Sequence, residues 1–427
     1  MARKRVVLTS NIPEMASPAA SPITISALVP RREIGVGGCS ISPRAKQLVL
    51  EVLESNRLSA GPKTAQFESE IARLHGCRFG LFCNSGTSAL QIALAALKER
   101  HGWHDGDEVL VPAVTFVATS NVVLYNGLRP VFVDVEPDFY CIDPAQIERH
   151  ITSRTRAIMP VHIGGLPCDM DPILDITRRH GLRMVEDSAE CMFALYKGRP
   201  VGSFGDISGF STYVAHVITT GVGGVCLTDD PENHVLLRSF ANHGRDSIYI
   251  RIDDDKNLEG QALFEVASRR FSFERLGHSF RATEMEAALG LAEIEQRLEY
   301  AQRRVRNASR LCEGLRDLED RLQLPKARPE SEHAWMFFPI VVRPDAGFSA
   351  ETLIERLEER GIETRRLLPL IQQPVYRRLF GDLRGQYPVA DMLNRNAFYV
   401  GCHPLLETED LDFMLETFHD FVRSRGN

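Results

Sequence analysis

The stretch Gly209–Asp230, GFSTYVAHVITTGVGGVCLTDD, decides how the rest of the chain is read. It predicts a short strand, a turn carrying Ser211 and His216, a reversal at Gly221-Val222-Gly223-Gly224, and a second strand. A hydroxyl and an imidazole on a loop between two buried strands is a common setting for chemistry, because rigid elements position the loop. Two earlier stretches point to the same place. Val185-Glu186-Asp187-Ser188 sets an acidic pair at the end of an apolar run. Asn84-Ser85-Gly86-Thr87-Ser88 opens a helix directly after an apolar strand, and such a start suits an anion through its N–H groups, hydroxyls and dipole. Each also has a plain reading: an N-cap for Asn84–Ala89, a turn former for Asp187, a tight reversal for the glycines.

Outward from this stretch the chain alternates. Glu108–Val111, Pro130–Asp134, Ala157–Val161 and Arg183–Glu186 read as buried strands. Phe116–Tyr125, Pro144–Ile151 and Asp171–His180 read as the helices between them. The pattern predicts an α/β fold with a mostly parallel central sheet covered by helices. Ligands then sit at the carboxyl ends of the strands, where Asn84, Thr115 and Asp187 fall. Thr283–Glu286 has the spacing of a capping box, and a long charged helix is expected from about Glu295 to Leu318. Beyond Pro325, strands at Trp335–Val342 and Ile362–Arg366 with helices at Ala350–Arg360 and from Glu409 suggest a smaller α+β domain.

Composition removes several function classes. The 427 residues are 44% hydrophobic and 25% charged, as in a soluble globular protein of about two domains. Fifty Lys and Arg against 57 Asp and Glu give −7, which offers no basic surface to nucleic acid. Nine cysteines, none in C-x-x-C spacing, argue against zinc, iron–sulfur or a disulfide framework and for a reduced, cytoplasmic protein. No run is long enough to span a membrane. The acidic Asp253-Asp254-Asp255 reads as a solvated loop rather than a metal site, and His162 as a residue that packs or hydrogen-bonds locally.

Taken in order, the motifs are specific. From about Ile34 onward the chain resembles the DegT/StrS-type sugar aminotransferases, fold type I enzymes dependent on pyridoxal 5'-phosphate (PLP) or pyridoxamine 5'-phosphate (PMP). The resemblance runs through NRLSAGP, NSGTSAL, VPAVTFVAT, PVFVDVEPDFYCID, MPVHIGGLPCDMDPI, VEDSAE, YKGRPVGSFGD, TTGVGGVCLTDD and EAALGLAEIE. It implies that Gly86, Thr87, Ser88 and Ser211 hold the cofactor phosphate, Phe116 stacks on the pyridine ring, and Asp187 pairs with its nitrogen. Glu190, where Gln is usual, falls near the phenolic oxygen. Ser279 replaces an Asn that often reaches the partner subunit's phosphate.

His216 stands where the family has the lysine that binds the cofactor covalently, so binding is expected to be non-covalent. One branch shares that histidine, the nucleotide-sugar 3-dehydratases. Gly361–Arg365 (GIETR) and Asn396–Pro404 (NAFYVGCHP) lean the same way, whereas Val222 and Leu367-Leu368-Pro369 depart from it. The resemblance therefore implies a 3-dehydratase of a nucleotide-linked 4-keto sugar with catalytic His216 and Asp187. The alternatives are an aminotransferase with glutamate as candidate amino donor, or a degenerate cofactor- or sugar-nucleotide-binding member. It also implies a homodimer. The expected organisation is a loosely ordered N-terminal arm over 1–32, a large cofactor-binding domain over 33–305 and a small C-terminal domain over 306–427.

Overall fold

A computed structural model of the chain describes residues 33–247 and 255–425. The expected N-terminal arm and the acidic pair Asp253-Asp254 lie outside the described residues.

The chain enters through two amphipathic helices, α1 (Pro43–Ser55) and α2 (Pro62–Leu74), each with Pro in its first turn, where the missing N–H costs nothing. Ser42 Oγ caps α1 by accepting from the Ala45 N–H. α2 has no cap of its own. A buried carboxylate from far along the chain, Glu284, supplies one by accepting from the N–H groups of Gly61, Lys63 and Thr64.

β1 (Phe79–Cys83), β2 (Glu108–Pro112), β3 (Arg129–Val133), β4 (Thr155–Ile158) and β5 (Arg183–Asp187) follow, with a helix after each of the first four. These helices are α3 (Gly86–Arg100), α4 (Val117–Tyr125), α5 (Pro144–Ile147) and α6 (Met170–His180). A small hairpin, β6 (Leu195–Tyr196) and β7 (Arg199–Pro200), precedes β8 (Ile207–Ser211) and β9 (Gly224–Thr228). The central sheet has seven strands in the order β1-β9-β8-β5-β4-β2-β3. Every pairing from β8 through β5, β4 and β2 to β3 is parallel, and only β9 runs against its neighbours. The α/β expectation and the mostly parallel sheet are met. Strands this deeply buried must be apolar on both faces, which is why they read as continuous Val, Leu and Ile runs.

After α7 (Pro231–Ala241) and α8 (Gly260–Arg269) comes α9 (Glu284–Gly314), capped by the expected Thr283–Glu286 box. The sequence suggested an apolar helix and then a separate charged one. The structure has a single helix, because no proline and no interior glycine except Gly290 interrupts the run. Gly290 is needed there: a Cβ would stand 2.4 Å from the Phe67 ring of α2. The first half of α9 (Ala287, Ala288, Leu291) lies in the core beneath the large sheet. Its second half (Ala308, Leu311) lies in a second core, with Phe338, Leu353 and Phe418.

That second core is built on a four-stranded antiparallel sheet. Its strands are β10 (Leu322–Gln323), β12 (Phe337–Val342), β13 (Thr364–Arg366) and β14 (Ala397–Gly401), in the order β10-β12-β14-β13. β11 (Ser331–Glu332) instead joins the β6/β7 hairpin. The helices α10 (Ala350–Glu359) and α13 (Thr408–Ser424) cover the small sheet. The helices α11 (Pro374–Phe380) and α12 (Pro388–Asn396) turn the other way, and Tyr376 and Leu393 pack in the large core. Asp134, after β3, accepts from the N–H groups of Val389 and Ala390 and so caps α12 across the junction.

Candidate active site

Parallel strands aim their carboxyl ends at one edge of the sheet, and the loops that leave them there carry the residues singled out by sequence. After β1, Ser85 is the N-cap of α3, and its Oγ accepts the Ser88 N–H at 3.0 Å. The Ser88 hydroxyl, buried, donates to Asn84 Oδ1 at 2.7 Å and accepts from Ser85 Oγ at 2.9 Å. Its role is therefore to shape the turn, while Thr87 stays half-buried at the helix mouth.

Gly86 lies against the end of β8, and a Cβ there would stand 2.8 Å from Ser211 Cβ. Gly224 passes the same turn closely enough that a Cβ would stand 2.3 Å from the Ser85 carbonyl. Only glycine fits these two contacts, so the last glycine of the reversal has a packing reason beyond turning the chain. Ser279 reaches this corner from the other side. The carbonyl of the next residue, Phe280, accepts the Asn84 N–H at 2.8 Å, and Ser279 Oγ accepts from Arg281 at 2.9 Å.

Phe116 is the N-cap residue of α4, after β2, and its ring is 58% exposed. One turn on, Thr119 Oγ1 donates to Asp187 Oδ2 at 2.7 Å. α4 is itself braced from the C-terminal region, where the Tyr376 hydroxyl donates to Asn121 Oδ1 at 2.6 Å.

Asp187 ends β5, buried, with the Ala189 N–H as a second donor at 3.3 Å and no cation in ion-pair reach among the described residues. Burial raises its pKa; the Thr119 hydrogen bond opposes this without cancelling it. Glu190 is also buried, and its Oε2 accepts the Gly164 N–H at 2.7 Å. Desolvation carries its pKa up to about 7, with a further push from the neighbouring Asp187.

His216, half-buried, bonds through Nδ1 to the Ala189 carbonyl at 2.7 Å. A carbonyl only accepts, so Nδ1 holds the hydrogen and Nε2 keeps a lone pair. Burial, aided by the nearby Arg304 guanidinium, lowers its pKa to about 4 against the pull of the Ala189 bond. A histidine in water titrates at about 6.5, near the middle of the physiological range; at neutral pH this one is an uncharged acceptor.

The site contains groups that sequence reasoning passed over: Thr119, the Gly164 N–H and the Ala189 carbonyl. Thr119 carried a signal, standing four residues after Thr115 on the helix that begins at Phe116. Two backbone groups carry none. His162, read as packing or hydrogen-bonding locally, does accept the Cys168 N–H at 3.0 Å, and it also donates to Glu186, 24 residues away, at 3.2 Å.

The DegT/DnrJ/EryC1/StrS aminotransferase family matches residues 40–419. The chain belongs to this family. It is 33% identical to a dTDP-4-dehydro-2,6-dideoxy-D-glucose 3-dehydratase of Saccharopolyspora spinosa, over 94% of this chain and 88% of that one. It is 32% identical to a GDP-perosamine synthase of Caulobacter vibrioides, over 89% of this chain and 95% of that one. Among solved structures, an E. coli GDP-4-keto-6-deoxy-D-mannose-3-dehydratase with bound hydrated PLP superposes with a TM-score of 0.80 at 25% identity. That match covers 90% of this chain and 99% of the other. The fold is that of the fold type I PLP enzymes in this family. A buried carboxylate without a cation, beside a glycine cradle at a helix N-terminus, is a donor set that fits PLP.

Proposed function

We propose that the protein is a PLP/PMP-dependent 3-dehydratase of a nucleotide-linked 4-keto sugar, with His216 as its acid/base. The observation that carries this reading is His216 itself, which offers no amine for covalent capture and is held with Nε2 as a free base. The roles of the surrounding residues follow from their chemistry. Gly86, Thr87 and Ser211 would receive the phosphate at the start of α3, with Ser279 beside them. Ser88, expected from the resemblance to share that role, shapes the turn instead. Phe116 would cover one face of the ring. Asp187 would gain, in the ring nitrogen, the cation it lacks.

When bound, the cofactor would supply an electron-poor ring that accepts the electron pair left on its own amine-bearing carbon when a proton is removed there. Asp187 keeps that ring protonated. His216 begins neutral and would take at Nε2 the proton of a C–H bond on the cofactor carbon that bears the amine; the resulting imidazolium would then give it to the C3 hydroxyl. The C3–O bond breaks and the oxygen leaves as water, so the proton count closes on one residue. Glu190, with a pKa near neutrality, carries a hydrogen part of the time and then serves the phenolic oxygen as the usual Gln would.

A homodimer accords with the exposed apolar side chains Phe264, Phe271 and Leu276, on α8 and the segment leading to Ser279. Amino transfer, with glutamate as donor, is the second reading, favoured by the similarity to GDP-perosamine synthase over most of the chain. No helix among the described residues is long and apolar enough to cross a membrane.

Product mass separates the two. Incubation with a panel of NDP-4-keto-6-deoxy sugars, glutamate and cofactor is expected to give a 4-keto sugar that has lost its C3 oxygen, the two electrons coming from glutamate through the amine form of the cofactor. Amine as the sole product of the wild-type protein would overturn the dehydratase reading. Borohydride treatment with PLP is expected to leave no covalent adduct at the site, whereas His216→Lys gives a coloured, reducible one and loses dehydration. His216→Asn retains cofactor binding and falls by about 10²–10⁴ in rate, the range for a lost general acid–base group.

A further inference from the structure

Arg304 lies on α9, is 2% exposed, and has no carboxylate in ion-pair reach among the described residues. Its guanidinium is satisfied by three backbone carbonyls instead. Donors at Nη1 reach Trp335 O and Met336 O, both at 3.0 Å, and Nη2 reaches His216 O at 3.3 Å. Nε is left without a partner. Burying a cation against neutral acceptors is costly, and burial lowers its pKa to about 10. A leucine or methionine would fill the same space without that cost, so packing alone does not account for an arginine here.

The carbonyls it joins belong to two regions that meet at the site. Ala334–Met336 leads into β12 of the small sheet, and all three of its N–H groups are hydrogen-bonded. Ala334 donates to Gly165 O and Met336 to Gly164 O, at 2.8 and 2.9 Å. Gly164 in turn gives its N–H to Glu190. Between them Trp335 is held at φ +49°, a left-handed conformation costly for a bulky residue. It is kept there by a stacked His333 ring at 3.8 Å, whose Nδ1 accepts the Trp335 N–H. Ala334–Met336, strained at Trp335, therefore holds Glu190 through Gly164 on one side and Arg304 on the other.

α9 also grips the far end of the His216 turn, since Glu293, three turns before Arg304, accepts the Thr219 N–H at 3.2 Å. A small cavity beside His216 is lined by Val217, Glu293, Tyr300 and Arg304.

We propose that Arg304 is a positioning residue that ties the His216 turn to the Ala334–Met336 anchor, so that base and Glu190 are set in one frame. The inference rests on His216 being the acid/base proposed above. The guanidinium has a second effect, because its charge disfavours imidazolium. The other titratable groups around His216 are Glu293 and Tyr300 from α9 and Cys39 across the cavity, with Tyr213 on its own turn.

The test compares Arg304→Gln with Arg304→Lys in the full-length protein. The His216 imidazole is titrated by NMR of histidine-labelled protein, assigned by the signal lost in His216→Asn, and needs no substrate. In Arg304→Gln its titration is expected to move up by about half a unit as the charge is lost. kcat on a 4-keto sugar is expected to fall about ten- to a hundredfold with KM little changed, as for a misplaced reacting group. Arg304→Lys keeps the charge but is a compact point donor on a different stem, so the titration should stay native while kcat still falls.

An unmoved titration in Arg304→Gln, a fall confined to KM, or native kcat in Arg304→Lys would overturn the proposal. If Arg304→Gln does not fold, Arg304→Lys decides; failure of both to fold assigns Arg304 to the core and also overturns it. Absence of dehydration in the wild type would sink the reading of function, while the titration still tests the electrostatic contact.

Discussion

Glu186 and Asp187 are consecutive residues of β5, both buried, and they are treated in opposite ways. Neighbouring strand residues face opposite sides of a sheet. Glu186 is turned into a fully bonded interior, where it accepts from the N–H groups of Gly202, Phe204 and Gly205 at 2.9, 2.6 and 2.7 Å and from His162 Nε2. His162 is locked in that tautomer, because its Nδ1 accepts the Cys168 N–H at 3.0 Å. Burial pushes the Glu186 pKa up, yet His162 and the N–H groups outweigh it and the net shift is downward. Asp187 receives one hydroxyl and one long N–H bond, and its net shift is upward. Adjacent carboxylates thus show what separates a structural acid from a poised one: the number of donors already in place.

The contrast is sharpest if Asp187 is neutralised. Asp187→Asn should lose turnover by about a thousandfold, since breaking a buried charge pair costs about 3–5 kcal/mol. The cofactor-free protein should be no less stable, and its melting temperature at pH 8 should match or exceed the wild type. The sign follows from linkage: a carboxylate with a raised folded-state pKa destabilises the fold as pH rises through that pKa, and the amide removes this. A clear fall in melting temperature would show that Asp187 is structural after all.

Glu186→Gln should do the reverse. It places an amide NH₂ among N–H donors and leaves at least one without an acceptor, for about 2–4 kcal/mol of lost stability by urea unfolding. Because the Glu186 pKa is lowered in the fold, its contribution is complete above the ordinary carboxylate range and fades on acidification. The difference between variant and wild type should shrink toward low pH. An effect that is constant with pH would sink the charge argument.

The mildest change is Thr119→Val, which removes the single hydroxyl on Asp187. The pKa of that carboxyl should rise further, and kcat should fall about tenfold, the worth of one hydrogen bond to a charged group. Unchanged kcat would mean that Thr119 only packs.

The sheet was legible because buried parallel strands leave continuous apolar runs, and because Asp187, Phe116 and the Asn84 turn stand where such runs end. The contacts that tune these groups were not. Ala189, Gly164, Trp335 and Met336 act through backbone atoms, which no side-chain pattern reports. Arg304 sits in a charged run, QRRVRNASR, where several arginines look alike and one faces inward. The unity of α9 was hidden by its composition, since its second half buries only a narrow stripe. The helices α11 and α12 are short and start at Pro374 and Pro388, and were not assigned from the sequence.

The length of α9 bears on how such enzymes could be recombined. At about 1.5 Å per residue its 31 residues span roughly 46 Å. Residue 305, the end of the large domain expected from the sequence, lies inside it. A chimera that borrows the C-terminal part of a relative and is spliced there would join two half-helices, each selected for a different core. Arg304 would then come from one parent and the carbonyls it holds at Trp335 and Met336 from the other. Splicing ahead of Thr283 instead transfers the helix, its cap and the arginine together, leaving Glu284 to find the start of α2 in its new host.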